Sequence, residues 1–388
     1  MAATTEITGA VSASPALSLA PQRGAKRWAS LDGLRAISIL MVIVGHLSGT
    51  NGFFRADFGI GDYAHLGVVV FFVISGFLIT SLLLSEHEEN GKISLRLFYA
   101  RRAVRIFPAS YAYIVFVCIV WWFGLIHIRA TDLWHSVSYT VNYLPNAAWP
   151  VGHLWSLSVE EQFYLLWPFT FLVLRPRRAA WAAIAAILLG PAARMGMWFF
   201  FRGTAYRDLA FFPAVADSLA TGCLLAVAKD WLERQRWYLR LFRPEISAGL
   251  LACVLLINRY FGYTIVDVFG HTILNVCLAI LIHRCVYYSR GAVGRALNWR
   301  PIAFIGVLSY SLYVWQQPFL NRGSTSWACA FPENLVLAVT AALCSYFLLE
   351  KPLLRLRARL RSYSEPVASA DWAPPRPTLT IRPEPLRE

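Results

Sequence analysis

Charge is scarce in this chain of 388 residues, only 15% of which are Asp, Glu, Lys or Arg against 57% hydrophobic. A soluble globular domain carries charge on about a quarter of its residues, so the shortage excludes that class, and a mean hydropathy of +0.50 agrees. Acidic residues are scarcer still, 22 against 36 basic, for a formal net charge of +14. A basic excess of this size raises nucleic-acid binding. The Lys and Arg residues nevertheless fall in short clusters between apolar runs rather than on one domain face, and no nucleic-acid partner is expected. The seven cysteines have neither C-x-x-C nor Cys/His ligand spacing. That leaves no basis for a metal site and reads most of them as small apolar residues within the spans. No secretory leader is expected either, because residues 1–27 are rich in Ala, Ser, Thr and Pro and contain no basic start followed by a continuous apolar run. Long polar stretches between the apolar runs are missing, so no soluble catalytic domain is expected.

What remains is a succession of apolar stretches, each long enough to cross about 30 Å of hydrocarbon. They lie near 31–50, 65–84, 106–126, 154–174, 179–201, 209–228, 246–263, 265–283, 302–321 and 332–349. The expected fold is therefore an all-α, polytopic integral membrane protein of about ten transmembrane helices in contact with the lipid bilayer. The least defined boundary is that between the seventh and eighth spans. Basic residues crowd the N-terminal segment and alternate loops: Arg23, Lys26 and Arg27, then Lys92 to Arg105, Arg175 to Arg178, Lys229 to Arg243, Arg284 to Arg300 and Lys351 to Arg361. The intervening loops hold only Arg55, Arg129, Arg202, Arg207 and Arg322. Cytoplasmic loops carry the excess of Lys and Arg, so both termini are expected in the cytoplasm. Residues 1–27 and the Pro-rich 362–388 read as disordered tails on a transmembrane domain spanning 28–361.

Ionisable residues inside spans are costly and mark function by default. In the first span Arg35 and His46 are eleven residues apart, three helical turns plus roughly 20°, which puts them on one stripe about 16 Å apart along the axis. Snorkelling of Arg35 and a helix–helix hydrogen bond for His46 are the structural alternative. Ser30 and Asp32 suit the start of that helix as cap and first-turn acid. Ser75 and Gly76 in the second span permit close helix approach. Arg102 and Arg105, three residues apart at a cytoplasmic boundary, would share a helix face. They fit either a phosphorylated cytosolic ligand or ordinary membrane anchoring. His153 precedes Glu160 and Glu161 at a non-cytoplasmic helix entry. These acids answer the helix dipole, or Glu160 faces inward and governs the protonation of His46. Arg194, Asp217 and Arg259 are further intramembrane charges that pair or line a cavity.

Taken together, these segments resemble the membrane-bound acyltransferase-3 family of O-acyltransferases, which modify surface polysaccharides, peptidoglycan and some secondary metabolites. The likeness runs from about 31 to 352. It rests on Arg35-x10-His46, Phe-Phe-x-x-Ser-Gly-Phe at 71–77, Arg-Arg-x-x-Arg-Ile-x-Pro at 101–108 and His-x-Trp-Ser-Leu-x-x-Glu-x-Gln-Phe-Tyr at 153–164. Asp-x-Leu-x-x-Gly at 217–222, Ser-Tyr-Ser-Leu-Tyr at 309–313 and Glu-Lys-Pro at 350–352 continue it. The resemblance implies transfer of an acyl group, acetyl first, from acyl-CoA to a hydroxyl of a carbohydrate or secondary-metabolite acceptor. The donor is a co-substrate, with no bound cofactor and no metal. By the same resemblance His46 is the general base or a transient acyl carrier, with Glu160 orienting it. Arg102 and Arg105 hold the donor phosphates, Arg35 meets the pantetheine arm or an acid in the pore, and His153, Asp217 and Glu161 line the site. The implied location is a bacterial inner membrane. One departure stands out: the family commonly has His two residues before the proline that follows Ser-Tyr-Ser-Leu-Tyr, and this chain has Gln316. A transporter or flippase for a glycan or lipid-linked sugar is the competing reading, although neither an inverted repeat nor paired broken helices are visible. An enzyme acting on lipid-linked sugars without acyl-CoA would not need the Arg102 and Arg105 pair.

Overall fold

The computed structural model describes residues 30–54, 62–206, 210–260, 265–288 and 291–355, and among them there is no β-strand. Both expected tails, and with them Arg23, Lys26, Arg27 and the basic residues after Arg355, lie outside the described residues, as do Arg55 and Arg207. In chain order the α-helices are α1 (Leu31–Leu47), α2 (Asp62–Asn90), α3 (Leu95–Trp122), α4 (Ala130–Val137), α5 (Trp149–Gly152), α6 (Leu154–Phe200) and α7 (Phe212–Glu233). They continue with α8 (Arg236–Arg240), α9 (Pro244–Arg259), α10 (His271–Tyr287), α11 (Ala292–Leu297), α12 (Arg300–Trp315) and α13 (Glu333–Ser345). Wider, π-type turns lead into α10 over Val266–Gly270 and out of α13 over Tyr346–Glu350.

Each of the ten apolar stretches is occupied by helix, and six segments are long and apolar enough to cross a membrane. These are Tyr63–Asn90, Leu95–Trp122, Arg178–Phe200, Phe212–Glu233, Val266–Tyr287 and Glu333–Arg355. The others fall short for visible reasons. Helices α1, α9 and α12 have 17, 16 and 16 residues, about 24–26 Å against a core of about 30 Å. The first half of α6 carries Glu160 and Glu161 in its second turn. The division of α6 follows from its sequence. Pro176 bars the α conformation to its predecessor, and Arg175 sits at φ 64°, which breaks the helix where two spans were expected to meet. Leu165, Leu188, Val336 and Leu348 are exposed on the outside of the bundle, an apolar surface suited to lipid.

Helix α2 is the centre of the assembly. It packs against α1 on one side and α7 on another, while α12 covers α1 and α6 covers α7. The crossing of α2 and α7 is made by two glycines. A Cβ on Gly76 would run into the Leu219 carbonyl, and one on Gly222 into the Val73 carbonyl and the Phe77 amide. Small residues at such a crossing bring two backbones within van der Waals contact, the main attraction available to helices in lipid. Gly76 thus packs as the sequence predicts.

Two expectations change. Ser30 does not cap α1: it stands at φ 65° with no cap hydrogen bond from its side chain. Instead it exchanges hydrogen bonds with Asn298, whose Oδ1 accepts from the Ser30 amide at 2.9 Å and whose Nδ2 donates to the Ser30 hydroxyl at 2.9 Å. A tertiary partner replaces the local one. Asp217, implied by the resemblance to line the site, takes instead the other reading that the sequence allows: it pairs with Arg194, buried in a structural lock between α6, α7 and α10. Arg194 donates to it at 3.0 Å and Thr272 at 2.7 Å, and Arg194 also donates to the Val268 carbonyl at 3.0 Å. The guanidinium thereby ties the π-type turn before α10 to α6.

Gly222→Val should part α2 from α7, because the atoms it meets are backbone and cannot yield; overpacking of this kind costs about 1–3 kcal/mol or more. We expect a lower melting temperature and a poorer monodisperse yield in detergent. Gly249→Ala, which meets nothing within 4 Å, should be neutral or slightly stabilising.

Candidate active site

Five helices converge on one cavity. Helix α3 begins at Ser94, whose hydroxyl accepts from the Leu97 amide, and its first turns carry four arginines, Arg96, Arg101, Arg102 and Arg105. Arg101 turns outward and meets Glu86 at 3.7 Å. Arg102 and Arg105, three residues apart, turn the other way, and both line the cavity. Arg35 reaches the same space from α1. From α6 come Ser156, Glu160 and Tyr164 at four-residue spacing, which is one helical face. Ser75 of α2 and Ser309, Tyr310 and Tyr313 of α12 complete the polar lining, and Phe71, Phe72 and Leu78 supply apolar wall.

Three cations thus face one carboxylate. Glu160 accepts hydrogen bonds from Ser75 at 2.8 Å and Tyr164 at 3.2 Å. Arg102 lies over the Tyr164 ring, 4.6 Å from its centroid, a cation–π contact that holds the guanidinium without neutralising it. Among the described residues neither Arg35, Arg102 nor Arg105 makes a hydrogen bond or an ion pair. A cavity that concentrates guanidinium charge in this way attracts an anion, and the planar two-pronged donors suit phosphate.

His46 stands apart from this group. Helix α1 runs unbroken through both residues, so Arg35 and His46 remain about 16 Å apart along its axis. The expected pairing of His46 with Glu160 is corrected: His46 Nδ1 is hydrogen-bonded to Gln316 Oε1 at 2.9 Å, whereas the partners of Glu160 are Ser75 and Tyr164. Helix α12 ends so that Gln316, its C-terminal cap residue, reaches across to α1. The His46 ring stands edge-on to Trp149, with centroids 5.7 Å apart, and Arg322 donates to the Gly45 carbonyl next to it. Gln316, the one departure from the family that the sequence resembles, therefore touches His46 itself.

Between the two levels lies a buried polar knot. Tyr313 donates to the His153 carbonyl at 2.9 Å and shares a hydrogen bond with Ser156. The ring of His153 is buried and bonds the Val314 carbonyl through Nε2 at 3.1 Å. A carbonyl only accepts, so that nitrogen carries the proton. His153 accordingly lies beside the cavity wall and not in the lining. Glu161 is also absent from the lining: one residue on from Glu160, it turns by about 100°, toward Tyr111 and Tyr139. Ser75, read from the sequence as packing, is instead a cavity residue. Tyr164 and Tyr313 in the cavity lining and Trp149 beside His46 join the site beyond the residues to which the sequence points. The signal for Tyr164 was available, because i and i+4 on one helix place it directly over Glu160.

The family model described as an acyltransferase domain matches residues 28–349. Among curated proteins the chain is 30% identical to YrhL of Bacillus subtilis (strain 168) over 356 residues, which is 83% of this chain and 54% of that protein. It is 27% identical over 334 residues to the peptidoglycan O-acetyltransferase OatA of Listeria monocytogenes serovar 1/2a, 75% of this chain and 49% of that one. It is 30% identical over 362 residues to the O-acetyltransferase OatA of Staphylococcus aureus, at 83% and 56%. The chain thus spans about half the length of the curated relatives it matches. No solved structure matches it. With every cavity residue and His46 inside the matched 28–349, the chain belongs to the acyltransferase-3 family of acyltransferase domains.

Proposed function

We propose that this protein is a membrane O-acyltransferase that moves an acyl group, acetyl in the first instance, from acyl-CoA in the cytoplasm to a hydroxyl of a surface carbohydrate of the peptidoglycan class. The observation that carries the reading is the convergence of Arg35, Arg102 and Arg105 on one cavity without a salt-bridge partner among the described residues, with His46 three turns further along α1. Family membership and the names of the relatives, O-acetyltransferases in two genera, support acyl transfer over transport.

The chemistry follows from the two levels. Arg102 and Arg105 bind the donor's phosphates near the cytoplasmic boundary, Arg35 steadies the arm, and Glu160 with Tyr164 and Ser75 keeps the guanidiniums spread. The acyl thioester then extends past Tyr313 and Ser156 toward His46. The imidazole of His46 takes the proton of the acceptor hydroxyl while its oxygen attacks the thioester carbonyl. An ester C–O bond forms, the C–S bond breaks, and the proton held by His46 passes to the departing sulfur, giving CoA as the free thiol. The donor stays in the cytoplasm throughout. Ten spans with both termini cytoplasmic, in a bacterial inner membrane, complete the proposal; the lopsided distribution of Lys and Arg supports it.

Three measurements test this. Purified protein should release free thiol from acetyl-CoA when given a hydroxyl-bearing muropeptide. Arg102→Lys and Arg105→Lys should each raise the KM for acetyl-CoA about tenfold, equivalent to about 1.4 kcal/mol, because lysine loses the forked geometry. Arg101→Lys and Arg236→Lys, which face away from the cavity or lie outside it, should leave KM unchanged. Equal behaviour of all four would reduce the pair to anchoring charge.

His46→Ala should abolish transfer with folded yield intact, since a general base contributes about 10²–10⁴-fold. Glu160→Gln should act mainly on the KM for the donor, and an equal loss in kcat alone would return Glu160 to the level of His46.

For topology, single cysteines at Thr131 and Thr325 in a cysteine-free background should react in intact cells with a thiol reagent that cannot cross the membrane. Those at Lys92 and Arg234 should react only after permeabilisation. The reverse pattern overturns the orientation.

A further inference from the structure

Gln316 is the first member of a chain of amides that ends on a backbone carbonyl. Its Nε2 lies 3.1 Å from Gln317 Oε1, Gln317 Nε2 lies 3.1 Å from the Trp149 carbonyl, and Trp149 Nε1 donates back to the Gln317 carbonyl at 2.9 Å. The Trp149 carbonyl can only accept, and this sets the direction of every bond before it. Gln317 must present its NH2 group there and therefore turns its oxygen to Gln316. Gln316 must present its own NH2 group to that oxygen and therefore turns Oε1 to His46. Reversing Gln317 would set two acceptors against each other at the Trp149 carbonyl, and reversing Gln316 alone would do the same between the two glutamines. Both glutamine side chains are buried, where an unsatisfied polar pair costs about 1–3 kcal/mol. The chain accordingly has one polarity.

We propose that Gln316, backed by Gln317 and Trp149, is a positioning residue that fixes His46 as the Nδ1–H tautomer and so leaves the lone pair on Nε2. The inference rests on the reading of His46 as the base. Among the described residues Nε2 of His46 has no hydrogen-bond partner, so the nitrogen left basic is also the one left open to a substrate hydroxyl. A neutral amide differs from a carboxylate in this place: it orients the ring and selects the tautomer while adding no negative charge beside the imidazole. The ring is held from both sides, by Gln316 on Nδ1 and by the edge of Trp149.

Two readouts test the relay separately. In full-length protein labelled with ¹⁵N-histidine, the His46 signals, assigned by their loss in His46→Ala, should show a protonated Nδ1 and an unprotonated Nε2. In Gln316→Met, which keeps length and removes the acceptor, the Nε2–H form should appear. A wild-type His46 protonated at Nε2 overturns the proposal, whatever the activity. In the transfer assay Gln316→Met should lower kcat roughly 10- to 100-fold, part of what a general base supplies, with the KM for acetyl-CoA unchanged. Gln316→Glu retains an oxygen acceptor and should recover most of that loss. A side chain needed only for packing predicts the opposite order, because a buried charge would then be worse than methionine. Gln316→Met with full activity sinks the positioning role. His46→Ala with full activity sinks the base reading instead, and the tautomer measurement still decides the relay.

Discussion

Gathering three half-buried guanidiniums around one cavity in an apolar bundle is the constraint to which the rest of this structure answers. Charge removed from water costs several kcal/mol per ion unless it is paired or hydrogen-bonded, and Arg35, Arg102 and Arg105 add mutual repulsion to that cost. The fold meets part of it locally. Glu160 supplies one countercharge, Tyr164 lends its ring face to Arg102, and Ser75 and Tyr164 satisfy Glu160 so that the carboxylate does not collapse onto a single arginine. The remainder is met by no hydrogen bond or ion pair among the described residues. Walls that must hold like charges together have to be stiff, and the glycine crossing of α2 and α7 provides a rigid back to the helix that carries Ser75.

A second set of charges in the same bundle makes the contrast plain. Arg194 and Asp217 are as deeply placed, yet the guanidinium uses its donors on Asp217, Thr272 and backbone carbonyls at Val268 and Ala214. In that cluster all three guanidinium nitrogens are engaged, and what they fix is the packing of α6, α7 and α10. The three-arginine cavity is open in the chemical sense, with donor capacity left over. The distinction between structural and ligand-seeking charge thus rests on hydrogen-bond satisfaction and not on depth. The histidines divide similarly: His153 is held through Nε2 by a backbone carbonyl, while His46 is held through Nδ1 and keeps Nε2 free of protein partners among the described residues.

The separation of cavity and histidine gives the site its directional character. Arg105 and Arg102 lie at the end of α3 near the loop rich in basic residues, and His46 lies beside Trp149 and Arg322 at the other end of α1. The knot of Tyr313, Ser156 and His153 stands between them.

Much of this was written in local sequence. The ten apolar stretches each became helix, because an apolar run satisfies its own backbone hydrogen bonds in that form, and six of the helices are long and apolar enough to cross a membrane. The break at Arg175 was legible in the Arg-Pro step, and the shared face of Arg102 and Arg105 in their three-residue spacing. So was the family, since its motifs are short and keep their order. Tertiary structure alone decided which charges met. Glu160 went to the arginines and not to His46; Asp217 went to Arg194; Ser30 went to Asn298; and Gln316, 270 residues from His46 along the chain, became its hydrogen-bond partner. Helical periodicity fixes the face on which a side chain stands but not which other helix that face meets. In a bundle the partner is set by which backbones can approach most closely, and that is decided by packing among segments far apart in the chain.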